Sequence, residues 1–173
     1  ILSQLSSTTP TGKVLDFGCG TGNLTLLLAK SKYEVIGFDS SSGMAKRAAK
    51  KTSNFSNVKI LSDWNQLPND FDAIVINNVL YSIENPQEKI EQLSKHLNKG
   101  GSIVISEPKK DSSLIQLLKS NYANPKSGFL EKVIFTLYLP LIGLFNLVIS
   151  MNNRFTSNFF KAGEIDDIIT TTG

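Results

Sequence analysis

Apolar and polar positions follow two different periods along this chain. From Lys13 onward, short apolar runs bounded by Gly, Asn, Asp or Pro fall at residues 14–17, 34–38, 58–61, 73–77 and 102–106. Runs of this length with little internal polar alternation predict strands buried on both faces. Segments with helical spacing lie between several of them, at 23–30, 43–51 and 86–97. The last has Asn85 as a cap and Pro86 at its first position, and Asn98-Lys99-Gly100-Gly101 predicts its stop. Strand and helix taking turns imply right-handed crossovers. The fold class expected is therefore α/β, a Rossmann-like, doubly wound and mainly parallel sheet with helices on both faces.

The alternation breaks after Glu107-Pro108. A polar helix candidate near 112–122 is followed by a strongly apolar stretch at 129–151, and helical polar sequence returns at 162–172. One domain is expected: a core over 1–108, a helical, apolar insert or lid over 109–161, and a return helix of the core over 162–173. About five strands are legible. Because the chain stops just after a helix, C-terminal strands are expected to be missing. Residues 133–150 carry no charge, which touches the lower limit of about 17 residues for a membrane span. Sequence on both sides belongs to one sheet, so a single crossing would separate its halves. A lid or a shallow membrane dip survives that objection, with Pro140 breaking the segment in two. Lys126, Lys132, Arg154 and Lys161 would suit an anionic lipid surface. Plain core covering the sheet is the alternative.

Composition narrows the class. At 173 residues, 40% hydrophobic and 19% charged, the chain is that of an ordinary globular domain. The net charge of +3 comes without a basic stripe, so no nucleic-acid partner is expected. A single cysteine allows no internal disulfide. Residues 1–10 lack the layout of a signal peptide, and the start at Ile1 suggests a fragment. A cytoplasmic location is expected, with membrane association through 129–151 as an addition to it.

The strongest chemical signal is Asp16-Phe17-Gly18-Cys19-Gly20-Thr21-Gly22-Asn23, a strand running into a glycine turn and then a helix. Glycines let the backbone turn sharply and approach a ligand closely, and a ligand is expected beyond the carboxyl end of the strand. The dinucleotide fingerprint needs a third glycine where Asn23 stands. Asp16 would repel a diphosphate, and suits a ligand that carries positive charge or donates hydrogen bonds. Asp39 ends the next strand, where an acid commonly takes ribose hydroxyls; capping the following helix is its plain alternative. Asp63-Trp64 follows the third strand, with the acid suited to an adenine amine and the ring either covering adenine or simply packing.

Through residues 16–22, Gly37-Phe38-Asp39, Ser42-Gly43-Met44, Asp63-Trp64 and Phe71-Asp72-Ala73-Ile74-Val75, the chain resembles the class I S-adenosylmethionine-dependent methyltransferases of small-molecule type, in order and spacing as well as content. The resemblance runs from about Lys13 to Pro108. It implies that Asp16, Gly18, Cys19, Gly20 and Gly22 hold the methionine part of the cofactor. The ribose acid falls on Asp39 with Ser40 beside it, the adenine-packing residue on Met44 and the adenine-amine acid on Asp63, next to Trp64. Asn77 and Asn78 fall on the loop that passes the reactive methyl. The family usually has seven strands. Asn77-Asn78-Val79-Leu80 departs from the Asn/Asp-Pro-Pro-aromatic motif of enzymes that methylate amino groups of nucleic-acid bases or glutamine, which disfavours that chemistry. A histidine found near the position of Ser82 in many relatives is absent.

The implied function is methyl transfer from S-adenosylmethionine to a small, lipophilic acceptor. Two alternatives stand: an NAD(P)-dependent oxidoreductase on a similar fold, and a membrane-associated binding protein that keeps the cofactor without turnover. No metal ligands are read from the sequence, and no catalytic base is assigned. Tyr81, Ser82 and Glu107 sit at strand ends, where turn and capping roles are the stronger reading. His96, placed in the last turn of the 86–97 helix, is read as structural. Cys19 is read as a compact filler rather than a nucleophile.

Overall fold

Five strands carry the fold, and every hydrogen-bonded pair among them runs parallel. In the computed structural model, which describes residues 1–107, β1 is Lys13–Phe17, β2 Glu34–Phe38, β3 Val58–Leu61, β4 Phe71–Asn77 and β5 Leu97–Ser106. The helices are α1 Leu2–Thr8, α2 Asn23–Lys30, α3 Ser42–Thr52 and α4 Pro86–Ser94, with single 3-10 turns at Trp64–Gln66 and Leu80–Ser82. The strand order is β3-β2-β1-β4-β5. The chain winds outward from β1 to β3, then returns to lay β4 on the other side of β1. This reversal opens a crevice at the carboxyl ends of β1 and β4.

Side chains alternate across the strands and so build two cores. Leu15, Phe17, Ile36, Phe38, Ile74 and Ile76 pack with Ile90 and Leu93 of α4. Val14, Val35, Ala73 and Val75 pack on the opposite face with Leu5 of α1 and Leu28 and Ala29 of α2. Covering both faces explains the nearly continuous apolar runs of the central strands. It also fixes Asp16, which shares the face of Val14 and is therefore turned toward α2.

The β4–β5 region corrects the sequence expectation. α4 ends at Ser94, and Leu97 opens β5 instead of closing the helix. Leu97 packs against the α4-side core, and the Phe71 N–H donates to the His96 carbonyl at 3.1 Å. Pairing then slips: Phe71 faces Leu97, while Ala73 faces Ser102. Gly100, with φ of 82°, lies in this irregularity. Asn98-Lys99-Gly100-Gly101 is thus a break within a strand, not a helix stop. α1, lying against β5, has no counterpart in the sequence reading. Among the described residues no helix is long and apolar enough to cross a membrane. The expected insert over 109–161, its apolar stretch at 129–151 and the return helix at 162–173 lie outside the described residues.

Candidate functional site

The turn between β1 and α2 is built from three glycines in the left-handed region, Gly18, Gly20 and Gly22, with φ of 71°, 53° and 78°. Any other residue there would be strained by about 1–2 kcal/mol. Two of them also allow close packing. A Cβ on Gly18 would stand 2.3 Å from Val79 Cγ2, and one on Gly22 would stand 3.0 Å from the Ala48 backbone. At Gly20 a Cβ would meet nothing within 4 Å. Space is therefore free beside Gly20 on the side where a Cβ would stand. The N–H groups of Gly18 and Cys19 both donate to the Phe38 carbonyl, at 2.8 and 2.9 Å, which ties the turn to the end of β2.

Asp16 lies beneath this turn, only 2% exposed. The Thr25 hydroxyl donates to its Oδ2 at 2.6 Å. Burial pushes its carboxyl from 3.8 up to about 6; the Thr25 hydroxyl and amide oppose the rise, and the nearby Asp39 charge adds to it. Direct contact between Asp16 and a cationic ligand thus gives way to an arrangement in which the carboxylate acts from below the backbone. Thr25 is the partner that the sequence reading missed; a polar residue in the first turn of α2, on its buried face, was the available signal. Asp39 is half-buried, and its Oδ2 accepts the Gly20 N–H at 2.8 Å while Oδ1 accepts the Ser41 N–H at 2.9 Å. Capping of α3 falls to Ser41, whose hydroxyl accepts the Met44 N–H at 3.4 Å. Neither Asp16 nor Asp39 has a cationic partner among the described residues.

Cys19 is buried beside both acids. Burial first, then the charges of Asp16 and Asp39, push its thiol up to about 12, so it stays protonated and is no nucleophile. Ser40 is exposed at the end of β2, and Met44 is 38% exposed on the first turn of α3. Asp63 is exposed, and its Oδ1 accepts the Asn65 N–H at 3.0 Å. The Trp64 ring turns the other way. It meets Phe17, Phe38 and His96 edge-on, with Lys89 Nζ 4.4 Å over its face. Packing, rather than cover for adenine, accounts for that ring, because the α4-side core offers it aromatic edges and a cation.

At the end of β4, Asn77 pairs with Ser106. Asn78 has φ of 56° and donates its N–H to the Ser106 carbonyl at 2.8 Å. Ser82 is a turn residue, its hydroxyl donating to the Val79 carbonyl at 2.7 Å. Glu107 Oε1 accepts the N–H groups of Val79 and Leu80 at 2.7 and 2.8 Å. His96 has the expected structural role, though beyond the helix rather than in its last turn: Nδ1 bonds the Pro68 carbonyl at 2.8 Å. Two surface hollows of about 420 and 450 Å³ lie elsewhere, at the start of α4 and along β2 and β3 near Lys32 and Asn57. Neither is lined by a residue of the expected site.

The donor set at the β1–β2 end suits an adenosyl cofactor. A backbone that a side chain would not obstruct faces outward, one carboxylate stands ready for hydroxyls, and a second negative charge below it favours a cation. Comparison with known proteins agrees. Residues 1–135 match the family model described as a methyltransferase domain. An uncharacterized protein of Methanocaldococcus jannaschii is 32% identical over 162 residues, or 92% of this chain and 73% of that protein. The demethylmenaquinone methyltransferase of Staphylococcus carnosus is 33% identical over 117 residues, which cover 64% of this chain and 48% of that enzyme. The chain therefore corresponds to about half the length of this second relative. Among solved structures, the plantazolicin methyltransferase BpumL in complex with SAH aligns over 98% of this chain and 59% of its own, with a TM-score of 0.61 at 22% identity. The PH0226 protein of Pyrococcus horikoshii aligns over 69% and 56%, with a TM-score of 0.59 at 24% identity. These two share the fold. What the acid-flanked turn implies chemically, the matched family model states as ancestry: the chain belongs to the methyltransferase domain family.

Proposed function

We propose that the protein transfers a methyl group from S-adenosylmethionine to a small, lipophilic acceptor. The observation that carries this reading is the pair Asp16 and Asp39, without a cationic partner among the described residues, at a turn with free space on the Cβ side of Gly20. The bound cofactor supplies a methyl group already activated on a sulfonium. The chain then has to bind, orient and shield. Gly18, Cys19, Gly20 and Gly22 border the methionine end, and the Asp16 charge favours its cationic groups from beneath. Asp39, with Ser40, takes the ribose hydroxyls. Met44 lies against adenine and Asp63 takes its amine, while Trp64 braces the wall from the core. Asn77 and Asn78 close the side where the acceptor approaches. Holding the reactants in line supplies much of the rate in such a reaction.

The lipophilic acceptor is supported by the uncharged sequence at 133–150 and by the quinone in the name of the staphylococcal relative. Contact with an anionic membrane surface through 129–151 belongs to the same reading. Calorimetric titration with S-adenosylhomocysteine and with NADH tests the cofactor, with binding of the first and not the second expected. Tritiated methyl transfer into demethylmenaquinone, a total lipid extract and a water-soluble extract tests the acceptor. Selective nicotinamide binding would overturn the cofactor assignment. Label entering only the water-soluble extract would overturn the acceptor class.

A further inference from the structure

The corner between β4 and β5 contains a carboxylate to which the cofactor roles assign nothing. Glu107, directly after β5, directs Oε1 at two successive amides, the Val79 N–H at 2.7 Å and the Leu80 N–H at 2.8 Å. Short bonds from N–H groups to an ionised oxygen are the stronger kind of hydrogen bond. Oε2 is buried and has no hydrogen-bond partner among the described residues. An unpaired buried oxygen lowers stability, so folding alone is a poor reason to keep a carboxylate here. The segment it holds is also strained, since Asn78 has φ of 56°.

What the two bonds fix is the position of Val79. Its methyl groups sit against Gly18, where a Cβ would stand 2.3 Å from Val79 Cγ2. Gly18 opens the turn whose Gly20 N–H is bonded to Asp39 at 2.8 Å. A continuous line of contacts therefore runs from Glu107 through the Val79 amide and side chain to the glycine turn. We propose that Glu107 is a positioning residue for cofactor capture, which seats Val79 on Gly18 and holds the turn in its binding shape. This rests on the reading of the turn as the cofactor site.

The test uses the full chain carrying Glu107→Ala, Glu107→Gln, Val79→Ala, or Glu107→Ala with Val79→Ala. Two quantities are read: affinity for S-adenosylhomocysteine, and amide hydrogen exchange at Val79 and Leu80. Glu107→Ala is expected to weaken binding roughly tenfold or more and to release both amides. Glu107→Gln keeps an oxygen for the amides and restores both readouts. Val79→Ala weakens binding but leaves the amides protected, and the double variant binds no worse than Glu107→Ala alone, because both act along one line. Wild-type affinity in Glu107→Ala, or in Val79→Ala should the former fail to fold, overturns the proposal. A wild-type protein that does not bind S-adenosylhomocysteine overturns the cofactor reading itself, and the exchange data separate that outcome from loss of the clamp.

Discussion

At the amino end of the sheet, Asp72 accepts the Lys13 N–H and the Asn98 side-chain amide, each at 2.8 Å, and these bonds hold its carboxyl below the usual range. Lys13 adds an ion pair to Asp70 at 2.7 Å. At the carboxyl end, Asp16 is sealed beneath a turn with Thr25 as its partner, and burial drives its carboxyl up to about 6. The same residue type is thus stabilising at one end and destabilising at the other. Buried carboxylates with raised pKa values are enriched at functional sites, which accords with the role proposed for this end of the sheet. The contrast also separates the acid of the proposed site from the one that closes the sheet.

The strongest way to break this contrast is Asp16→Asn. The folded value of Asp16, about 6, lies above the ordinary 3.8. Its protonated form is favoured by folding, so its contribution is most stabilising below about pH 4 and is lost as pH rises toward 6. Two pKa units correspond to on the order of 3 kcal/mol. Urea unfolding at pH 4, 5.5 and 7.5 should find the variant more stable than wild type by up to that amount above pH 6, with weakened S-adenosylhomocysteine binding. A variant no more stable at pH 7.5 would remove the claim that the acid strains the fold.

Asp72→Ala sharpens the comparison from the other end. The expected loss is about 1–2 kcal/mol, discounted because Asp72 is half-buried. Here the sign reverses: the folded value lies below the ordinary one, so the contribution is present above about pH 4 and disappears as pH falls through the folded value. Cofactor affinity should stay within about twofold of wild type, since the site is at the far end of the strands. The smallest effect concerns Cys19. With its thiol near 12, labelling of the native protein by iodoacetamide at pH 8 should run at least roughly 100-fold slower than for a free cysteine. Rapid labelling would mean that the packing around Cys19 opens to solvent.

Much of the fold was legible because its strands are buried on both faces and bounded by residues that stop them. β2, β3 and α2 have the expected limits for this reason. The glycine turn was legible because three positive φ angles restrict residue choice so strongly. What was hidden depends on contacts between distant parts of the chain. The bonds from Glu107 to the Val79 amide join residues 28 apart, and no local pattern announces them. The Gly100-Gly101 pair looks like a helix end, yet Asn98 bonded to Asp72 makes it a break in a strand. α1 has one buried residue, Leu5, and so no periodicity to read. The direction of the Trp64 ring was likewise decided by the aromatic edges of Phe17 and Phe38, on other strands.

Gly22 meets Ala48 at backbone distance, and Lys51 spans the same seam by donating to Asn23 Oδ1 at 2.5 Å and Thr21 Oγ1 at 3.4 Å. The amino end of α2 and the middle of α3 are consequently locked as one unit, and the proposed methionine and ribose ends of the cofactor site would ride on that unit together. A larger side chain at residue 48 would therefore press on the Gly22 main chain and push the glycine turn away from α3.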